Sequence, residues 1–354
     1  MSDPRAGDSR SGESDTGLPP LPPVEVVRPG LWSVPVPIPN NPLRYVLVYL
    51  FETPDGAYLV DAGWNTDEAY ETLVAGVETA GFAISDVRGV VVTHIHPDHY
   101  GLAGRVREAS SAWVALHPAD AALIEDRYDE PSDLLERIAV MLRRDGAPEE
   151  EIAELRDASM PIRSWVWAVP PDVMVNDGDK AEIPGWDVSV IWTPGHSPGH
   201  ICLYEASNRL MLSGDHVLPR ITPNISFHPQ AGADPLGDFL MSLDKVAAFD
   251  ADEVLPAHEH RFVDLQGRVS ELKKHHSERF DEVVDAIQSG KDTTWEIASA
   301  MTWSRPWEQI RGWMRRAATG ETLAHLNYLR NQGILVERVG EPSRWAVSDV
   351  QHRA

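Results

Sequence analysis

Residues Thr93-His-Ile-His-Pro-Asp-His-Tyr-Gly101 place three imidazoles and a carboxylate within six consecutive positions, directly after Gly89-Val-Val-Val92. The apolar run reads as a buried parallel strand, so a ligand-capable cluster hangs from a strand end. His94 and His96 are two apart and point the same way in extended backbone. Pro97 bends the chain and turns Asp98 and His99 toward a second point. The spacing predicts two metal ions side by side. A lone histidine is more often solvated or satisfied by a hydrogen bond. The cluster reverses that weighting, because neutral imidazole and carboxylate are the usual ligands of a hydrolytic divalent metal.

The pattern His94-x-His96-x-Asp98-His99 resembles the signature of the metallo-β-lactamase fold superfamily, and Asp98-His-Tyr-Gly-Leu-Ala-Gly104 resembles the continuation seen in its glyoxalase-like members. The resemblance runs from about Val24 to Phe262. Asp61 in Leu59-Val-Asp-Ala-Gly63 is similar to the first motif, and His196 in Thr193-Pro-Gly-His-Ser-Pro-Gly-His200 to the third. Asp215 in Ser213-Gly-Asp-His216 is similar to the fourth, and His258 in Leu255-Pro-Ala-His258 to the fifth.

This resemblance implies a four-layer αβ/βα sandwich. One metal would take His94, His96 and His196, the other Asp98, His99 and His258, with Asp215 between them. Zinc is the expected metal, with iron and manganese admissible. Two ions about 3.5 to 4 Å apart would hold a bridging hydroxide, since coordination lowers the water pKa from near 16 to about 7. Asp98, the catalytic candidate, could also orient that hydroxide or relay its proton. Asp61 is not counted as a ligand, because it reads equally well as a carboxylate that holds loop N–H groups. His200 is expected to fix its loop rather than bind metal. His216 is either a supporting residue or exposed, and His258 is preferred over His260 because it follows the strand directly.

A chain of 354 residues, 42% apolar, has room for two domains, or for one large domain with an appendage. Cys202 is the single cysteine and cannot form an internal disulfide. With no apolar run near the roughly 18 residues of a membrane span, and a polar start, the expectation is a cytoplasmic protein that does not enter a membrane. The formal net charge is -24, distributed as 17 Lys+Arg against 42 Asp+Glu over residues 1–260 and 13 against 12 over 261–345. An acidic catalytic half repels phosphate backbones, although screening within about 8 to 10 Å leaves local patches free. A small-molecule substrate is therefore favoured over nucleic acid, and a homodimer is allowed.

Residues 1–23, rich in Ser, Gly, Asp and Pro, read as a disordered tail. Residues 24–262 form the expected catalytic domain. Short strands are expected up to the metal loop, with Asn65 capping a helix from Thr66 to Thr79, and a further helix over Pro118 to Tyr128. Residues 131–160 carry Leu134, Ile138, Met141 and Leu142, then Ile152 and Leu155, at helical spacing. They predict a helical hairpin inserted either on one face of the sheet or over the metal site. A strand is expected at Trp165 to Ala168.

Residues 263–348 become helical. A long helix is expected from Glu271 to Ser289, with His275 and His276 solvated, and a capping box at Thr293-Thr-Trp-Glu296. Helices from Trp307 to Arg316 and after a Thr319 cap follow, then a hairpin. This order, together with Ala324-His-Leu-Asn-Tyr-Leu-Arg-Asn-Gln-Gly333, resembles the winged-helix-like domain on one branch of the superfamily, which includes a mitochondrial lactamase-like endoribonuclease and fungal polyketide-releasing thioesterases. Trp303, Trp307 and Trp313 are expected in the core of that unit.

Three functions compete at this point. The first is a hydrolase of small thioesters, esters or lactones, suggested by the glyoxalase-like histidine run and the acidic charge. The second is a single-strand endoribonuclease using Arg311, Arg315 and Arg316 on phosphate. The third is a non-catalytic, metal-stabilised interaction protein. Fold alone does not choose among them.

Overall fold

The computed structural model describes residues 20–158 and 160–349. The expected tail over 1–23 thus lies outside the described residues except for its last four, which form neither helix nor strand.

Seven strands form one mixed sheet in chain order: β1 (Glu25–Arg28), β2 (Leu31–Pro37), β3 (Tyr45–Thr53), β4 (Gly56–Val60), β5 (Val87–Val91), β6 (Trp113–Leu116) and β7 (Val173–Met174). The first four are antiparallel neighbours, and the last three join in parallel. The parallel crossovers carry α1 (Asp67–Thr79), then α2 (Pro97–Tyr100) with α3 (Ala103–Ser110). After β6 come α4 (Pro118–Ala121), a π-helical turn at Glu125–Asp129, α5 (Ser132–Arg144), α6 (Glu149–Asp157) and a 3-10 turn at Met160–Trp165.

The second sheet has the order β11-β10-β9-β8, from β8 (Val188–Trp192), β9 (Ile201–Glu205), β10 (Leu210–Gly214) and β11 (Glu253–Pro256). A crossover through α7 (Pro235–Ala247) makes β10 and β11 parallel. The chain closes with α8 (Leu265–Gln288), α9 (Thr294–Ala300), α10 (Gly312–Asn331) and the hairpin β12 (Leu335–Arg338) and β13 (Arg344–Val347).

The period-2 alternation of strands explains the layering. On β3, Val46, Val48 and Leu50 join Leu73 and Val77 of α1 and Val106 of α3, while Leu47, Tyr49 and Phe51 face the second sheet. On β10, Leu210 and Leu212 enter that same inter-sheet core, and Met211 turns outward to Phe239 of α7 and Val269 of α8. Strands buried on both faces read as unbroken apolar runs, as these do. The C-terminal ends of β4, β5, β6, β10 and β11 deliver their loops to one edge, where open α/β sheets place their ligands.

Several local expectations change. Thr66, not Asn65, caps α1 by accepting from Ala69 N at 3.2 Å. Gly81 ends the helix with φ 92°, its N–H on Glu78 O and that of Phe82 on Val77 O, a Schellman closure. Trp165 to Ala168 is not a strand. The Trp165 carbonyl instead accepts from Asn65 N, and Trp167 N donates to Gly101 O, which lays the segment over α2 and α3. The helix expected over Pro118–Tyr128 is divided into α4 and the π turn. Helix α8 starts at Leu265, because Asp264 accepts from Gly267 N at 2.9 Å. Thr319 caps nothing. It lies inside the continuous α10, where its hydroxyl donates back to Arg315 O at 2.9 Å. Trp313 is 44% exposed and so is not core.

The α5–α6 hairpin packs mainly on the C-terminal helices rather than on a sheet face. Its stripe of Leu134, Ile138, Leu142, Ile152 and Leu155 is closed by Trp295 of α9. Glu151 pairs with Arg315 at 2.7 Å, and Asp145 O accepts from Trp295 N at 2.9 Å. Among the described residues no helix is long and apolar enough to cross a membrane.

His276 is not solvated: it is buried against Phe239 and His325. His325 Nδ1 donates to Glu321 O at 2.7 Å, so its Nε2 accepts, at 3.1 Å, from His276 Nδ1. Both rings are therefore neutral. Burial, then His325, His275 and Arg279, hold His276 down to about 2, and burial with Arg279 and His275 holds His325 to about 4. Their unfolded values lie near 6.5, so this stability is fully present above about pH 6.5 and is lost as pH falls below it. Between pH 7.5 and 5 the pair is expected to remove roughly 2 kcal/mol or more from the unfolding free energy. Chemical denaturation of His276→Leu should show a shallower pH slope than the parent, and an identical slope would refute the assignment.

Candidate metal centre

Three donor groups converge at the sheet edge: His94, His96 and His196; Asp98, His99 and His258; and His94, His99 and Asp215. Within each group, the donor atoms lie within 4.8 Å of one another. His96 Nδ1 stands 2.8 Å from His94 Nε2 and 2.9 Å from His196 Nε2. Asp215 lies between the two histidine sets. Its Oδ2 is 3.6 Å from His196 Nε2, while its Oδ1 is 3.5 Å from His99 Nε2 and 3.2 Å from His258 Nε2. Asp98 Oδ2 lies 3.3 Å from His258 Nε2 and 3.8 Å from His99 Nε2. All seven residues proposed from sequence thus meet at one place, with His94, His99 and His258 fully buried.

Each ring is held through the nitrogen that faces away from the centre, or through the loop that carries it. His258 Nδ1 donates to Tyr45 O at 2.9 Å, and His196 Nδ1 to Asn224 O at 2.9 Å. Asp61, in a left-handed conformation at φ 64°, accepts from His99 Nδ1 at 2.7 Å and from Thr93 N at 2.7 Å. It is a carboxylate that holds the loop, outside the three donor groups. Partners of this kind fix tautomer and ring angle in metal sites. His200 accepts from Asp215 N at 3.1 Å and meets the Thr193 hydroxyl at 2.8 Å. A side chain at Gly214, φ 51°, would lie 2.7 Å from that imidazole. His216 is buried beside Phe239, and His260 is exposed.

Asp120 escaped the sequence reading. Its Oδ2 accepts from Ile95 N at 2.9 Å and the Ser197 hydroxyl at 2.8 Å, and its Oδ1 from Gly199 N at 2.6 Å. One buried carboxylate therefore ties the His94–His96 loop to the His196 loop. Burial pushes its carboxyl above the usual range despite those donors. The available signal was its place just after β6, at the same sheet edge.

Electrostatics favour a cation here. Burial, then neighbouring imidazoles, hold His94 and His96 well below the usual histidine range, leaving them neutral. Burial alone would lower His258 too, but Asp215 and Asp98 hold its proton on up to about 10. His99 Nε2, His258 Nε2 and Asp215 Oδ1 are buried without a hydrogen-bond partner among the described residues. Orphaned buried polar atoms are costly, and three facing one another fit a positive charge shared among them. Imidazole nitrogens with carboxylate oxygens are a donor set that divalent zinc, iron and manganese accept.

The profile described as the Metallo-beta-lactamase superfamily matches residues 41–258. Among solved structures, the metallo-beta-lactamase family protein TTHA1429 from Thermus thermophilus is 32% identical with a TM-score of 0.79, over 91% of this chain and 100% of that one. A Beta-lactamase domain protein from Burkholderia ambifaria is 27% identical with a TM-score of 0.74, over 95% and 98%. That coverage takes in the C-terminal helices. Among curated sequences, "Probable metallo-hydrolase YqjP" of Bacillus subtilis (strain 168) is 26% identical over 276 residues, 72% of this chain and 80% of the relative.

Proposed function

Since the chain belongs to the metallo-β-lactamase superfamily and is a metallo-hydrolase of it, we propose that it hydrolyses a small-molecule thioester, ester or lactone at a two-metal centre. The observation that carries this reading is the trio of orphaned atoms on His99, His258 and Asp215, which a shared cation would satisfy, with the His94, His96 and His196 group beside it for a second. His94, His96 and His196 would hold one ion, Asp98, His99 and His258 the other, and Asp215 both. Bound there, zinc or a similar ion would lower the pKa of water toward 7 and polarise the scissile carbonyl. Asp98, the least buried of its group, would orient the attacking water and take its proton. Asp61, Asp120 and Asn224 keep the imidazoles in register, so that little reorganisation is needed at reaction.

Of the three arginines that the nuclease alternative would use on phosphate, Arg311 is exposed while the other two are engaged within the protein. Arg315 is 4% exposed and spent on Glu151 and Trp307 O, and Arg316 donates to Leu155 O and Arg156 O. The helices and hairpin at the C-terminus are better read as a winged-helix-like unit used for packing, an assignment supported by their order along the chain. Metal-loaded protein should hydrolyse at least one member of a thioester, ester and lactone panel, with His96→Ala inactive. Equal rates for parent and variant, or metal-dependent RNA cleavage alone, would overturn the proposal.

A further inference from the structure

Arg127 lies on a turn that is bonded to the loop carrying His94 and His96. It sits on the π turn Glu125–Asp129, half-buried, and among the described residues its side chain has no hydrogen-bond or ion-pair partner. The next residue, Tyr128, is buried and donates its hydroxyl to Ile95 O at 2.6 Å, which pins the turn to the peptide between His94 and His96. The preceding residue, Asp126, turns away to Arg137 and accepts from Gln230 Nε2 at 3.0 Å.

That last bond joins the turn to a second segment, 224–230, which begins at the carbonyl holding His196. The same segment meets α10: Phe227 N donates to Gly320 O at 2.9 Å, and Asn224 Nδ2 donates to Glu321 Oε2 at 3.1 Å. A side chain at Gly320 would lie 2.9 Å from Phe227 O, so the approach is close. Arg316 stands one turn earlier on α10. His228 Nδ1 accepts from Gln230 N at 3.2 Å, which leaves the ring hydrogen on Nε2. Three hydrogen-bonded segments thus carry Arg127, Arg316 and His228 to the side of the centre that holds His96 and His196.

The groups sense one another. Burial and then Arg127 hold Arg316 down to about 10, and burial, Arg127 and Arg316 hold His228 down to about 3. Gathering two guanidiniums around a neutral imidazole costs free energy unless an anion joins them. A planar guanidinium with free donors suits a carboxylate or phosphate.

We propose that Arg127, backed by Arg316 and His228, is a recognition site for an oxyanionic group of the substrate, a carboxylate or a phosphate set a few atoms from the scissile bond. This rests on the hydrolase reading above and narrows it to anionic esters and thioesters. It also gives α10 a part in specificity, since Arg316 comes from the C-terminal helices.

The test uses the metal-loaded full chain and two readouts. Calorimetric titration with inorganic phosphate and, separately, succinate needs no turnover. Arg127→Ala should weaken at least one of them by roughly 10- to 100-fold, with Arg127→Lys between. The anion that responds identifies which oxyanion is preferred. With matched neutral and anionic esters, the parent should favour the anionic one, and Arg127→Ala should raise KM for that ester alone while kcat changes little. Unchanged binding of both anions in Arg127→Ala, or equal KM values for neutral and anionic esters in the parent, would overturn the site. Absence of all hydrolysis with anion binding still dependent on Arg127 would instead count against the hydrolase substrates and leave the oxyanion site standing.

Discussion

Asp215→Ala is expected to lower kcat/KM by roughly a thousand-fold or more and to reduce the bound metal from two ions per chain to one or none. The argument is geometric. Asp215 sends Oδ2 toward His196 and Oδ1 toward His99 and His258, so its loss leaves each histidine set without the shared carboxylate. It also removes the negative charge that, with Asp98, keeps His258 protonated up to about 10 in the absence of metal. The backbone N–H of residue 215 still reaches His200, so the loop keeps its anchor and the variant should fold. Elemental analysis with steady-state rates checks both halves. Two ions retained with activity within about threefold of the parent would mean that the seven residues meet for another reason.

His94, His96, Asp98 and His99 are legible as a cluster at a strand end, and His196, Asp215 and His258 are named through the resemblance to the family's motifs, but all seven share a physical setting. Each follows a buried strand, or sits in a Gly- and Pro-rich turn between strands, and a strand's end fixes where its loop begins. His94 to His99 and Asp215 inherit their positions from β5 and β10, whose apolar runs are unmistakable. Asp120 also follows a buried strand, β6, but nothing in its residue type marks its role. Its three partners are two backbone N–H groups and a hydroxyl, 25, 77 and 79 residues away, and a backbone donor leaves no trace in residue type.

The C-terminal half shows the same division. The Thr293–Glu296 capping box is local chemistry and is present in the structure. Thr319 carries a similar local signal, but in α10 its hydroxyl finds the carbonyl four residues back and the helix continues. His276 lies among charged residues, and only the arrival of α10 and Phe239 makes its face an interior one. The stripe on α5 and α6 announced a buried face without saying that Trp295 would cover it. Nothing in residue type sets Arg127 apart, because its place depends on the bonds that tie its turn to Ile95 and Gln230.

Asp120→Ala is expected to be the most damaging single change outside the donor set. The Ile95 N–H, the Gly199 N–H and the Ser197 hydroxyl would each lose their acceptor in a buried place, at about 1 to 3 kcal/mol apiece. Loop relaxation and entering water offset part of this, so a net loss of roughly 3 to 5 kcal/mol is expected in denaturant unfolding. Function should suffer separately from stability. The carboxylate fixes the spacing between the loop bearing His96 and the loop bearing His196, whose ring nitrogens now stand 2.9 Å apart. A shift of about 1 Å in such a constellation lowers rate by roughly 100-fold, and metal affinity should fall with it. Asp120→Asn keeps one acceptor oxygen but turns an amide N–H₂ toward the remaining donors, so it should lie between parent and alanine. Gly199→Ala provides an independent approach, because the added carbon would sit 2.5 Å from Asp120 N and push the same two loops apart while leaving the carboxylate in place. If both substitutions weaken metal binding together, the spacing of the loops is what matters. If Asp120→Ala costs under about 1 kcal/mol and leaves metal affinity intact, the three hydrogen bonds do not hold the site.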